Sequence, residues 1–144
     1  MKRPDPIPLP GHAYVPGQTP RHAEGAFDDL RRTVRAGMSL AEMEDCPAWV
    51  AGWQFMDAGY FWEAHEVLEP VWMALPEWSV ERRFVQAAIQ AANAGLKARM
   101  DRPAAVRRLA GIVEDLLREV PPDAVILGRS ADCVHAVVSA AEKR

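Results

Sequence analysis

The sequence predicts an all-α protein, a compact array of about five to six helices with a Pro-rich extended N-terminal arm. Three observations predict it. Beyond residue 23, apolar residues recur at three- and four-residue steps, and no stretch alternates with period two for long. Prolines and glycines stand between the periodic segments where helices start and stop, as at Gly37, Pro47, Gly59, Pro76 and Pro103. Six of the 12 prolines crowd into the first 20 residues, a density that neither a helix nor a central strand survives. Residues 1–22 are therefore read as the arm and 23–144 as a single helical domain, a normal size for one core.

The arm carries His12, Tyr14, Val15 and His22, odd company for a mere spacer. Two readings stay open for it: a loose tail, or a strap lying over the domain and closing a groove. Phe27, Leu30 and Val34 place a first helix over 24–36, ended by Gly37. Ser39 with Glu42 three residues on fits a capping box that opens a short turn, and Pro47 opens an aromatic-rich helix that stops at Gly59. The next helix spans 60–75. Ser79 or Trp78 begins a long helix to about Met100, whose small-residue seam of Ala87, Ala91, Gly95 and Ala98 lies opposite Val85, Ile89, Ala92 and Leu96. Val106, Leu109, Val113, Leu116, Leu117 and Val120 define an amphipathic helix from Pro103, and a last helix covers roughly 130–142.

A formal charge of −3 and a pI near 5.8 argue against nucleic acid, and the arginine pairs 31/32, 82/83 and 107/108 read as solvated helix faces. Cys46 and Cys133 are too few and too far apart for a disulfide framework or a zinc site. No apolar run of membrane-spanning length and no secretory leader is present, so a cytoplasmic protein without membrane contact is expected.

Chemistry concentrates on the helix over 60–75, YFWEAHEVLEPVWMAL. At about 100° per residue, Val71, Ala64, Leu75, Leu68, Phe61 and Trp72 form one broad stripe. His65 and Glu69, four residues apart, are read as falling within it and pointing inward, with Glu66 at its edge and Glu63 toward water. A carboxylate turned into a core needs a partner. Pro70 removes its own N–H and crowds the carbonyl of Glu66, which should kink the helix and free that carbonyl.

Three explanations fit the pair. His65 and Glu69 can simply satisfy one another in the core. They can hold a divalent metal ion, with Glu66, Gln86, Gln90, His12 or His22 completing the shell and a bound water serving as a hydrolytic nucleophile. Or they can belong to a small-molecule pocket walled by tryptophans, with Trp72, Gln86 and Gln90 in support. His65, Glu66 and Glu69 read as H-E-x-x-E, but Glu69 replaces the second histidine of a zinc protease helix and no third ligand follows. A repeated Glu-x-x-His pattern of di-iron bundles is absent as well.

EAHEVLEPVW followed by RRFVQAAIQAANAGLK resembles the family called domain of unknown function 309, whose hallmark is His-x3-Glu-x2-Trp-Trp before a Gln- and Ala-rich helix. His65, Glu69 and Trp72 match it, and Met73 stands in place of the second Trp. The resemblance runs from about residue 53 to 120, and YVPGQTPRH in the arm is similar to that of some such proteins. It implies a small all-α bundle and a metal-binding role for His65 and Glu69. The competing class is a non-catalytic interaction module, a homodimer joined through the seam at Ala91 and Gly95 with the arm engaging a neighbour.

Overall fold

The computed structural model describes residues 7–144, so Pro4 and Pro6 lie outside the described residues. Seven helices follow one another and no strand forms among the described residues: α1 (Asp28–Arg31), α2 (Leu40–Glu44), α3 (Pro47–Asp57), α4 (Phe61–Ala74), α5 (Val80–Arg99), α6 (Pro103–Leu117) and α7 (Ala131–Glu142). None of them is long and apolar enough to cross a membrane.

Most boundaries follow the local chemistry read from the sequence. Ser39 accepts from the Glu42 amide while the Glu42 side chain accepts from the Ser39 amide, the reciprocal capping box that starts α2. Ser79 accepts from the Arg82 amide and starts α5. Pro47 and Pro103 occupy first turns, where a missing N–H costs nothing.

The first helix is the exception, one turn where the apolar spacing predicts 24–36. Gly25 takes a positive φ of 76° and delays the start. At the other end the Thr33 hydroxyl donates to the Leu30 carbonyl at 2.6 Å, diverting the chain from a further turn. The same hydroxyl accepts from the Ala48 amide at 3.1 Å. It thereby caps α3, whose own N-cap residue, Cys46, makes no side-chain cap bond.

The core gathers around α5, which packs against α4, α6 and α7, while α3 packs on α4. Phe84, Val85, Leu68, Val67, Val71, Trp53 and Phe55 are all buried there. Trp49 is buried too, its indole N–H donating to the Leu127 carbonyl at 2.8 Å. Trp78, in contrast, is 84% exposed, so the tryptophans are not uniformly core.

The small-residue seam of α5 is occupied within the chain. A Cβ on Gly95 would come within 2.5 Å of the Phe61 ring, and Ala87 and Ala91 are fully buried. The close approach at Gly95 is thus to Phe61 of α4 in the same chain, and Ala91 is covered within the chain as well.

Gly95→Ala should lower stability by about 1–3 kcal/mol through overpacking, whereas Gly111→Ala, on an open face of α6 with nothing near the added methyl, should raise it by about 0.5–1 kcal/mol. Denaturant midpoints of the two variants, compared with the parent chain, check both signs.

Candidate functional site

The orientation of α4 departs from the apolar stripe drawn on the sequence. Its buried residues are Glu63, Ala64, Val67, Leu68 and Val71. That arc centres near Val71, with Glu63 about 80° to one side and Glu69 roughly 160° away. Phe61 and Trp72, which pulled the expected stripe the other way, are only partly buried. Aromatic residues with a large apolar area commonly sit at such an edge. Glu63 is consequently the inward carboxylate, at 0% exposure, and the expectation that it faces water is overturned.

What makes this burial tolerable is the arm. The Tyr14 amide donates to Glu63 Oε2 at 2.7 Å, and His22 Nε2 lies 2.5 Å from the same oxygen. The carboxylate thus fixes one ring nitrogen of His22 and leaves the other, Nδ1, outside that contact. His12 stacks on His22 at 4.6 Å and takes the Pro20 carbonyl through its own Nε2. Val15 is buried, the Tyr60 hydroxyl donates to the Pro10 carbonyl, and the Ile7 amide donates to Gln54 Oε1. Of the two readings of the arm, the strap describes residues 7–22. Glu63 Oε1 has no hydrogen-bond partner in its buried position.

His65 and Glu69 lie on the half-exposed side of α4, with side-chain exposures of 30% and 40%. His65 Nε2 is 3.6 Å from Glu69 Oε2 and its Nδ1 is 3.8 Å from Glu66 Oε1, so the predicted neighbours do meet. The cation among them is Arg31 of α1. Its guanidinium is 3.4 Å from Glu69 Oε1 and 3.7 Å from Glu66 Oε2, and it donates to the Glu66 backbone carbonyl. That carbonyl is the one Pro70 leaves without its intrahelical donor, so the mid-helix proline has created the acceptor that fastens α1 to α4.

The remaining predicted ligands are elsewhere. Gln90 accepts from the Asn93 side chain, and Gln86 lines a surface recess with Trp72 and Arg82, whose guanidinium lies 4.3 Å over the Trp72 ring. Neither glutamine reaches His65 or Glu69. His12 and His22 serve the Glu63 side. Among the described residues no three His, Cys, Asp or Glu side chains come together as a metal-ligand set. His65, Glu66 and Glu69 all come from α4, and Arg31 already pairs with the two carboxylates.

A cleft of about 460 Å³ opens between the arm, α1 and α4. Tyr14, Arg21, His22, Phe27, Arg31, Trp62 and Glu66 line it. Trp62 is edge-on to Tyr14 at 5.3 Å and tilted against His22 at 5.9 Å, giving one aromatic wall, while Arg21 donates to the Tyr14 hydroxyl at 3.3 Å. His22 and Trp62 were thus the site residues that sequence reasoning underweighted. The available signal was a pair of arm histidines together with a glutamate only two residues before His65.

Residues 49–109, from α3 to the middle of α6, match the model of a family described as Domain of unknown function (DUF309). Over that span the chain is similar to the DUF309 family. No curated protein and no solved structure matches the chain. The DUF309 segment contains Glu63, His65, Glu66 and Glu69, but the partners that the first, third and fourth acquire, His22 and Arg31, precede it.

Glu63→Leu should cost about 1–3 kcal/mol, since it strands the Tyr14 amide and the His22 N–H in a dry interior, and it should accelerate amide exchange through residues 12–22. Glu69→Gln, on the wetter flank, should cost under about 1 kcal/mol and leave that exchange pattern intact. Hydrogen-exchange mass spectrometry with denaturant titration reads both effects.

Proposed function

We propose that the protein binds a small, flat, polar molecule in the cleft between the arm and α4. The observation that carries this reading is the Glu63–His22 pair. An extended segment can be pinned to a helical body by apolar contacts alone, and burying a carboxylate to do it is costly. Here the buried carboxylate orients an imidazole that forms part of a cleft wall, the arrangement by which proteins fix a histidine for recognition or proton exchange.

The rest of the lining supports the same chemistry. Trp62 and Tyr14 offer faces for a planar group, Arg21 offers donors, Glu66 offers an acceptor, and the His22 ring, held by Glu63 through Nε2, offers its other nitrogen as a polar contact. A few convergent polar groups on an aromatic wall are typical of small-molecule sites. His65 and Glu69 enter this reading as Arg31's support: Glu69 pairs with the guanidinium on the α1 side of the cleft, and His65 lies beside Glu69. The family likeness implied a metal at these residues, and the ligand reading replaces it with Arg31 as the resident cation.

Titration of the full chain with a set of flat carboxylates, amides and amines, followed by amide and indole chemical shifts, tests the proposal. Binders should move the Trp62 indole resonance, and His22→Ala should weaken them by about 10-fold or more, some 1.4 kcal/mol. The reading fails if no compound moves Trp62. It also fails if protein purified without chelators carries stoichiometric metal that His65→Ala removes.

A further inference from the structure

A second cleft, of about 550 Å³, opens where the α3–α4 turn meets the end of α5 and one face of α7, and it shares no lining residue with the arm cleft. Its floor is apolar, made by Trp53, Met56, Phe61 and Val137. Two half-buried arginines line it, and both are held in position by aromatic rings. The Arg129 guanidinium lies 4.7 Å over Trp53, and that of Arg99 lies 5.6 Å over Phe61.

Among the described residues neither arginine enters an ion pair, although six other histidines and arginines do between them make nine such contacts. Asp57, exposed on the rim, is the carboxylate in the lining and is paired with neither. Two guanidiniums with five donors each, partly removed from water and without a counter-charge, make an unbalanced arrangement unless an anion completes it. The chain also makes room for one of them: a Cβ at Gly59, which has a φ of 83°, would collide with the Arg99 guanidinium.

A third group responds to the same charge. Burial pushes the Cys133 thiol up, but a hydrogen bond from the Ser130 backbone and the adjacent Arg129 guanidinium together hold it below the usual thiol value. Cys133 lines the cleft, whereas Cys46 is buried, so alkylation at Cys133 reports on the field there.

We propose that this cleft binds a small organic anion, a carboxylate or phosphate on an apolar body, with the charge at Arg99 and Arg129 and the body against Trp53, Met56, Phe61 and Val137. Carboxylate and phosphate share the forked pairing that a guanidinium offers. The proposal is independent of the arm cleft, because none of these residues borders it.

The full chain should be titrated with benzoate, with phenyl phosphate and with benzyl alcohol as the uncharged analogue. Readouts are the Trp53 indole and Val137 methyl resonances and the rate of Cys133 alkylation by iodoacetamide at fixed pH. At least one anion should move both resonances and slow alkylation, since a bound anion offsets Arg129 and raises the thiol. Arg99→Gln should weaken that binding by about 10-fold or more, and benzyl alcohol should do neither. If both anions leave the resonances unmoved, if benzyl alcohol binds as well as they do, or if folded Arg99→Gln binds unchanged, the proposal is wrong. Should Arg99→Gln fail to fold, the comparison of anions with alcohol on the parent chain decides alone.

Discussion

A carboxylate on the inner flank of α4 makes the N-terminal segment part of the fold. Left to itself, Glu63 would be an uncompensated charge in a dry interior, a state that proteins avoid. The donors that relieve it come from Tyr14 and His22, 49 and 41 residues upstream. The arm therefore does more than cover α4: without it the face of α4 turned into the core carries a group that would draw water inward. Stacking of His12 on His22 and burial of Val15 reinforce a connection whose polar centre is this one oxygen.

The other side of α4 is organised by a different defect. Pro70 leaves a carbonyl without its helical donor, and Arg31 takes it while neutralising Glu66 and Glu69. Two irregularities of one helix, a buried acid and an internal proline, thus recruit the two segments that precede α2. Between them lies the arm cleft. Its walls come from residues whose positions are fixed by these two attachments, so the cleft is a by-product of how α4 is made acceptable to its surroundings.

The helical plan was legible because its punctuation is local. Capping at Ser39 and Ser79, prolines at 47 and 103 and the stop at Gly59 act within a few residues, and apolar spacing supplied the rest. The α1 span was overestimated because Thr33 competes for the Leu30 carbonyl and caps α3, a contact across 15 positions. The neighbours His65, Glu66 and Glu69 were found correctly, since i, i+4 geometry is a property of one helix. Which side of α4 is wet was not legible. Phe61 and Trp72 weighed heavily in the stripe, yet both sit at its margin, and nothing near Glu63 in the chain announces that His22 will meet it. The arginine among His65, Glu66 and Glu69 was hidden for the same reason: Arg31 read as half of a solvated pair.

The attachment of α1 through Arg31 has a consequence for assembly. A helix of four residues has no stability of its own, and the carbonyl that holds it has no fixed position until residues 66 to 70 have wound into a turn. The same order applies to residues 14 and 22, which have nothing to grip before Glu63 is in place. Segments that precede α4 in the chain thus dock only after α4 has formed.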